Sequence, residues 1–362
     1  MDTPHPPKMA VLTLLIAAVV GGVIYLNSQK VPRTAISGNG EVKTVMTNEE
    51  KEKLYSVAKE ITTPDGFINT GGTPITIEEF VGTKVVLIDF WTYSCINCQR
   101  TTPYLNAWYE KYKDKGLVII GVHTPEFEFE KDYQNVLEAT KRLGIKYPVV
   151  LDNDFSTWNA YQNRFWPRKY LIDIDGYVVY DHIGEGAYDE TERKIQELLA
   201  ERIAAPGERF EIAGDVARPH DADIVDFSQV KSPETYFGAL RNKNFGSGTP
   251  YVQGTQEFSR PQKVEPNILY LSGRWNIQNE YAETAGSEHT ITFRFHAKKV
   301  HLVLSAPRGA VLTIRQDGGP EKKIPIQEDA LYTLIENDSY GEHTVEITIP
   351  GPAIRLFAFT FG

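Results

Sequence analysis

The chain has 362 residues, of which 41% are hydrophobic and 24% are charged, a globular composition with length for two domains. The formal net charge of -10 argues against nucleic acid and anionic membrane surfaces as partners. The sequence contains two cysteines, Cys95 and Cys98. Because both lie in one short motif, the pair is available for chemistry and no other cysteine exists for a structural disulfide.

The N-terminal segment predicts a membrane anchor. Residues 10–26 carry no charge, which is the short limit for a spanning helix and the long limit for a signal-peptide core. We expect residues 1–30 to form a single transmembrane helix, with a cleaved signal as the alternative, and residues 31–47 to form a tether. A dithiol protein is most useful facing an oxidising compartment. We therefore expect a bacterial cell-membrane protein with its soluble part extracytoplasmic, on the periplasmic or cell-wall side.

Residues 48–203 have the pattern of an α/β domain. Continuous apolar runs at 85–88 and 117–122 predict strands that are buried on both faces of a parallel sheet. Asp175-Gly176 predicts a hairpin turn between two further strands. The predicted helices are 48–58, 129–143, 155–163 and 191–203, and the other predicted strands are 147–151, 169–173 and 177–181.

The two cysteines lie where the first buried strand passes into a helix. Cys95-Ile96-Asn97-Cys98 precedes a helical pattern, and the positive end of a helix dipole favours the thiolate of Cys95. Cys98, one turn further on, is placed to attack a mixed disulfide at Cys95, so the pair can carry two electrons. Asp89 directly follows the apolar run. A buried charge there is costly unless it has a function.

This stretch resembles the thioredoxins. Asp89 lies six residues before Cys95, Pro103 lies eight after it, and Trp166-Pro167 precedes an apolar run. The resemblance implies that Asp89 relays a proton to Cys98 and that Pro167 is cis and faces the cysteines. It also implies a set of residues that line the substrate groove, although ordinary core packing is an equal alternative for the two tryptophans: Trp91, Ile96, Asn97, Trp166 and Gly184.

The spacing between Cys98 and Pro167 exceeds that of a minimal thioredoxin by about one strand-plus-helix unit. That enlargement, with the phrases GVHTPEFEFE, YPVVLDND and NRFWPRKYLID, resembles the TlpA-like thioredoxins and especially the soluble C-terminal part of DipZ-type proteins. The resemblance implies a protein-disulfide reductase, acting in cytochrome c maturation or disulfide repair and re-reduced by a separate DsbD-like membrane protein. It also places Glu126 near the site, with a solvated strand end as the alternative. His123 is expected to be structural.

The composition and the hydrophobic pattern of the sequence change twice in the C-terminal part. Residues 204–235 are rich in Pro, Gly, Asp and Arg and predict a linker. Residues 236–362, called here the sandwich domain, show period-two patterning between short turns. They predict an antiparallel all-β sandwich of the jelly-roll, galactose-binding or carbohydrate-binding-module type. The predicted strands are 289–295, 300–305, 311–316, 322–326, 331–335, 343–349 and 354–361.

The DipZ resemblance raises the question of a carbohydrate ligand on the sandwich domain. Aromatic rings of this domain can stack on a sugar and its polar side chains can bond hydroxyls, but the same aromatics can equally fill the core or the domain interface. The candidates are Arg274, Trp275, Glu280, Tyr281 and Tyr332.

Other chemistries are weaker fits. Asp152-Asn153-Asp154 and the acidic residues at 173–175 lack the remaining ligands of a calcium loop, and two cysteines cannot complete a structural zinc site. We therefore expect no metal and no cofactor beyond the redox-active disulfide. Thr92-Tyr93-Ser94-Cys95 matches the core of a peroxiredoxin signature without its proline. A thiol peroxidase, and a glycan- or protein-binding protein on a thioredoxin scaffold, remain the alternatives to a thiol–disulfide oxidoreductase.

Overall fold

The computed structural model describes residues 34–36, 42–44, 46–203 and 212–362, so the predicted anchor at 1–30 lies outside the described residues. No helix within these ranges is both long and apolar enough to cross a membrane. The helices are α1 Asn48–Leu54, α2 Ile96–Tyr112, α3 Tyr133–Arg142, α4 Ser156–Ala160 and α5 Tyr188–Ile203. The strands before residue 204 are β1 Thr34–Ile36, β2 Val42–Thr44, β3 Ser56–Val57, β4 Gly66–Ile68, β5 Val85–Trp91, β6 Leu117–His123, β7 Val149–Leu151, β8 Arg168–Ile172 and β9 Tyr177–Ile183.

The first domain is built on a seven-stranded sheet in the order β3-β9-β8-β5-β6-β7-β4. Strands β5, β6 and β7 run parallel, whereas β8 and β9 are antiparallel to their neighbours. Every residue of β5 is buried, which explains why its sequence is apolar except at Asp89, because both faces of a parallel sheet are covered. The predicted thioredoxin-like α/β domain is therefore confirmed.

Two of the helix boundaries that differ from the prediction have clear local reasons. The first predicted helix, 48–58, ends at Leu54, because residues 56–57 pair with β9 instead. The predicted helix 129–143 begins at Tyr133, since the carboxylate of Asp132 caps that helix by accepting bonds from the amides of Gln134 and Asn135. The residues before it form a short 3-10 turn at Glu128–Lys131.

The sandwich domain consists of β10 Thr235–Tyr236, β11 Gly254–Phe258, β12 Leu269–Ile277, β13 Ala282–Thr284, β14 Glu288–Ser305, β15 Ala310–Gln316, β16 Glu321–Ile326, β17 Ala330–Pro350 and β18 Arg355–Phe361. All nine strands belong to one hydrogen-bonded sheet. The pairings are antiparallel, and β18 also pairs with β14, so the sheet folds back on itself around its core. This confirms an all-β second domain. Because the sheet folds back on itself, its two halves are joined by hydrogen-bonded strands rather than forming separate sheets.

The sequence divided each of the two long strands into two. Residues 297–299 were predicted as a turn, but β14 continues through them with a bulge between Ala297 and Lys299. On β17, the polar stretch opposite this position is paired at its two ends, where Glu336 faces Lys299 and Gly341 faces Ala297, and residues 337–340 form the bulge between them. The sequence also missed four strands: β10, β11, β12 and β13.

The two domains pack together through an apolar cluster. Phe127 of the thioredoxin-like domain lies 4.8 Å, centroid to centroid, from Phe357 on β18, and Val303 and Ala358 complete the buried part of the cluster. The described part of the linker contacts both domains: the amide of Ala217 donates to Glu192 on α5, and Lys299 on β14 donates to Asp223. Contact between the domains close to β6 places the sandwich domain beside the cysteine motif.

Candidate active site

The cysteine pair begins helix α2. Cys95 is the residue that precedes the first helical turn, with extended backbone angles, and its side chain is partly exposed. Cys98 lies in that first turn with 2% of its surface exposed. Both are free thiols. Burial, and then a hydrogen bond with Cys95, raise the pKa of the Cys98 thiol well above its ordinary value. The geometry therefore offers one reachable sulfur and keeps the second protonated behind it.

A buried carboxyl group lies beneath the pair. Asp89 on β5 is 2% exposed, and its Oδ1 atom has no hydrogen-bond partner. Burial raises the pKa of Asp89 to about 7, although the charge of Lys169 opposes the rise. The charge of Asp89 also contributes to the raised pKa of Cys98. A carboxyl group that titrates near neutral pH beside a buried thiol is suited to exchange a proton with it.

Lys169 is a site residue that the sequence analysis missed. It lies directly opposite Asp89 in the pairing of β5 with β8 and is completely buried. Burial lowers the pKa of Lys169, while the charges of Asp89 and Cys98 act against that change. Its ammonium donates to the carbonyl of Gly184 at 3.1 Å. The signal was available, because Lys169 begins an apolar strand run just as Asp89 interrupts one.

The predicted groove residues meet at the start of β8. The Trp166–Pro167 peptide bond is cis, and the amide of Gly184 donates to the carbonyl of Pro167 at 2.8 Å. Trp166 is partly exposed and donates from its indole nitrogen to the carbonyl of Thr124 at 2.9 Å. Lys169 contacts Gly184, and its charge interacts with that of Cys98. The structure therefore brings the paired backbone of Pro167 and Gly184 close to the thiols.

Beside the motif, α2 carries a second buried charge that the sequence did not reveal. Arg100 is 3% exposed and forms a two-pronged ion pair with Glu185, at 2.9 and 2.7 Å. Its Nη2 atom also donates to Oδ1 of Asn97 at 2.7 Å. Asn97 is thereby fixed by its own helix, and Ile96 is 7% exposed. The two residues between the cysteines therefore present a neutral surface.

Two family models match the chain, one for each domain. The Redoxin family covers residues 55–199, and the thioredoxin-like C-terminal domain family covers residues 232–362. The thiol-disulfide oxidoreductase ResA of Bacillus cereus is 32% identical over 151 residues, which are 41% of this chain and 82% of ResA.

The chain belongs to the TlpA-like thioredoxins.

Other relatives of this TlpA-like protein agree. The thiol-disulfide oxidoreductase YkuV of Bacillus subtilis is 29% identical over 149 residues, which are 41% of this chain and 98% of YkuV. Protein DipZ of Mycobacterium tuberculosis is 40% identical over 299 residues, which are 82% of this chain. That alignment includes both domains, but it spans 41% of the length of DipZ.

Two aromatic residues next to the motif belong to the core of the TlpA-like protein. Trp91 is 2% exposed and meets the ring of His123 edge-on at 5.1 Å. His123 is completely buried and stacks on Tyr93. Burial lowers the pKa of His123 to about 3, so the ring is neutral at physiological pH. His123 is therefore structural, as expected, and Trp91 supports the site from behind.

Glu126 lies at the domain interface. Its Oε1 atom accepts hydrogen bonds from Arg241 at 2.7 Å and from Tyr236 at 3.2 Å, both in the sandwich domain. The carboxylate that contacts the cysteine motif is Glu130, which the sequence analysis missed. Glu130 is completely buried and accepts a 2.6 Å bond from the hydroxyl of Ser94. Burial, and then the charge of Glu126, raise the pKa of Glu130 to about 7.

The residues predicted to bind sugar do not share one surface. Arg274 is exposed on β12, whereas Trp275 beside it is completely buried in the sandwich core. Glu280 accepts a bond from the amide of Glu128 across the domain interface, and Tyr281 packs on Phe357 there. Trp275 cannot stack on a sugar, because alternation along β12 turns it inward. Trp275 therefore packs in the core and Tyr281 packs in the domain interface.

A cavity of about 460 Å³ opens elsewhere on the sandwich domain. Its lining includes hydroxyl, carboxylate, amide and ammonium groups from Ser247, Glu257, Ser259, Gln262, Lys263 and Tyr270. None of the five candidates for sugar binding lines this cavity. Within residues 46–203 and 212–362, no three His, Cys, Asp or Glu side chains cluster so that they could hold a metal ion.

Proposed function

We propose that this chain is a membrane-anchored, extracytoplasmic thiol–disulfide oxidoreductase that reduces disulfides of other proteins. The observation that carries the proposal is the asymmetry of the two thiols. Cys95 is partly exposed at the start of α2, whereas Cys98 is 2% exposed and lies against a buried carboxyl group. Such an arrangement suits a nucleophile and a resolving thiol.

The reaction proceeds in two exchanges. The Cys95 thiolate attacks a substrate disulfide, forms a mixed disulfide and releases one substrate sulfur as a thiolate, which takes up a proton. Cys98 then gives its proton to ionised Asp89 and attacks the sulfur of Cys95. The Cys95–Cys98 disulfide forms, and the second substrate sulfur leaves and is protonated. Two electrons pass to the substrate, and an external dithiol must return them.

The reducing direction is supported by the neutral surface of the motif. Neither Ile96 nor Asn97 carries a positive charge, and the charge of Arg100 is neutralised by Glu185. Strong oxidants owe their high potential to a stabilised reduced form, and neither residue between the cysteines is a cation that would stabilise the Cys95 thiolate. The substrates we propose are protein disulfides in cytochrome c maturation or disulfide repair. The proposed electron donor is a separate DsbD-like membrane protein.

The location is proposed from the sequence. The uncharged segment at residues 10–26 would anchor the chain in a bacterial cell membrane with both domains extracytoplasmic. A signal that is cleaved, which would yield a secreted form, is the competing proposal. Carbohydrate binding by the sandwich domain is likewise a proposal. The polar cavity is the place to test it, since the residues first considered lie apart.

Trapping of the mixed disulfide tests the proposed reaction. Reduced Cys98→Ser protein, mixed with a small disulfide-bonded protein, should accumulate a covalent complex that dithiothreitol dissolves. The wild type should instead turn over and form its internal disulfide. A Cys98→Ser protein that destroys peroxide as fast as the wild type would favour a peroxidase. Absence of any covalent complex, with Cys95 of the variant shown to be reduced, would favour the binding-protein alternative.

A further inference from the structure

The segment Glu126–Glu130 joins the two domains at the cysteine motif. Its sequence alternates glutamate and phenylalanine, and it follows β6 at the end of the sheet where the cysteines lie. Phe127 and Phe129 both pack on Phe357 of the sandwich domain, each at 4.8 Å between ring centroids. The same segment ends in the buried carboxylate that bonds the cysteine loop. It is therefore in contact with both the sandwich domain and the active-site loop.

On the active-site side, Glu130 holds Ser94. Its Oε1 atom accepts from the hydroxyl of Ser94 at 2.6 Å and from the amide of Ser94 at 3.3 Å. Ser94 immediately precedes Cys95 and is 1% exposed. A buried carboxylate is expensive unless its lone pairs are satisfied. Glu130 consequently holds the loop before Cys95 through two hydrogen bonds to Ser94.

On the other side, the sandwich domain holds Glu126. Arg241 forms a 2.7 Å ion pair with the carboxylate of Glu126, and the hydroxyl of Tyr236 donates to the same oxygen at 3.2 Å. The guanidinium of Arg241 also lies 3.8 Å from the centroid of the Tyr236 ring. A charge-assisted bond stacked on an aromatic ring is a well-ordered contact.

The two sides are connected through two backbone amides. The amides of Glu126 and Phe127 donate to Oε2 of Glu130 at 2.6 and 3.0 Å. The sandwich domain contacts these same two residues, since Arg241 pairs with Glu126 and Phe357 packs on Phe127. If they shift, Glu130 loses two of its four hydrogen bonds, and the acceptor for Ser94 is no longer fixed.

We propose that Glu130 is a positioning residue for Cys95, and that docking of the sandwich domain on Glu126 and Phe127 holds Glu130 in place. The second domain thereby sets the order of the loop that carries the nucleophile. This role is additional to any ligand of the sandwich domain. Its effect on catalysis rests on the proposed function of Cys95, but the order of the loop can be measured without any activity.

Hydrogen exchange in the reduced full chain tests the proposal. Arg241→Met removes the ion pair to Glu126, and Arg241 is 39% exposed, so folding should be retained. The expected result is faster amide exchange in the peptide covering residues 92–98, by about five-fold, the factor that corresponds to ~1 kcal/mol. Glu130→Gln should have the same effect, because its amide NH₂ cannot accept the bonds that one carboxylate oxygen accepts.

The matched control is Arg315→Met. Arg315 is 43% exposed and pairs with Glu321 inside the sandwich domain, remote in sequence from the interface segment. This variant should leave exchange at residues 92–98 unchanged. The proposal is overturned if Arg241→Met accelerates exchange at residues 126–130 but not at 92–98, if it accelerates neither, or if the control has the same effect.

A chemical readout separates this inference from the proposed function. The rate at which iodoacetamide alkylates Cys95 should change in the same direction in Arg241→Met and Glu130→Gln and stay at the wild-type value in Arg315→Met. Should no mixed disulfide form even in the Cys98→Ser protein, the proposed function fails, while the exchange experiment still decides whether the domains are coupled.

Discussion

Replacing Asp89 with Asn tests whether the carboxyl group beneath the cysteines ionises near neutral pH, as a proton acceptor for Cys98 must. Asp89 is 2% exposed, and burial raises its pKa from 3.8 to about 7. Each pH unit of difference between the folded and unfolded pKa corresponds to about 1.4 kcal/mol. Once ionised, Asp89 therefore destabilises the folded chain by about 4 kcal/mol.

The pH window follows from the direction of the change. An unfolded Asp loses its proton near pH 4, whereas folded Asp89 keeps its proton up to about pH 7. Between these values the folded state binds the additional proton, so the contribution of Asp89 to stability falls as the pH rises. Asn does not titrate. The stability of Asp89→Asn relative to the wild type should therefore increase by about 4 kcal/mol between pH 4 and pH 8.

Urea unfolding of the reduced chain at half-unit pH intervals, followed by tryptophan fluorescence, measures this difference. Asp154→Asn is the matched control. Asp154 is exposed, and hydrogen bonds from Thr63 and Ser156 hold its pKa below the ordinary value, so its difference from wild type should change with pH in the opposite direction. A difference for Asp89→Asn that is independent of pH would refute a carboxyl group titrating near 7, and with it the proton-acceptor role.

Three further predictions concern the surroundings of the site and the second domain. Lys169→Met should move the pH midpoint of disulfide exchange upward, because the charge of Lys169 lowers the pKa of Asp89; a pH–rate profile that does not move would contradict this. Arg100→Met leaves Glu185 partly buried without its partner and should cost about 3–5 kcal/mol of stability in urea unfolding; a loss under 1 kcal/mol would show that the pair contributes little. Trp275→Ala should destabilise the sandwich domain by about 3–5 kcal/mol while disulfide exchange continues; loss of exchange in a folded variant would tie Trp275 to the reaction.

The parts of the site that the sequence predicted share a simple physical signal. Val85–Trp91 is apolar without interruption except at Asp89, and burial on both faces of a parallel sheet gives that pattern. Cys95 and Cys98 are recognisable by their spacing at a strand-to-helix junction, and Trp166-Pro167 lies directly before strand β8. These residues are close in sequence to the strands and the helix that position them.

The parts that the sequence did not predict depend on contacts between distant segments. Glu130 lies in a run of alternating Glu and Phe that is consistent with an exposed strand end, and its partner Ser94 is 36 residues earlier. Arg241 reaches Glu126 across 115 residues and a domain boundary. Nothing in the local pattern of either segment specifies the other.

The sandwich domain shows the same limit in its strands. Residues 336–342 are polar and contain a glycine, so no strand was predicted there, yet they remain in β17, which pairs with β14 on both sides of the bulge. Strand β12 was missed because Gly273 and Arg274 interrupt its alternation, and Gly273 has a φ of +93°. Pairing in the folded domain overrides the weaker local preference in both places.

The measurement that tests the central claim most directly is the reduction potential of the Cys95–Cys98 pair, with the purified chain equilibrated against glutathione and dithiothreitol. A two-electron transition at about -270 mV or below, the value of thioredoxin, is the result we predict for a reductant supplied by a membrane donor. A transition near about -120 mV, the value of a strong oxidant, would reverse the proposed direction. Failure of the two thiols to form an internal disulfide under any poise would contradict the dithiol mechanism itself.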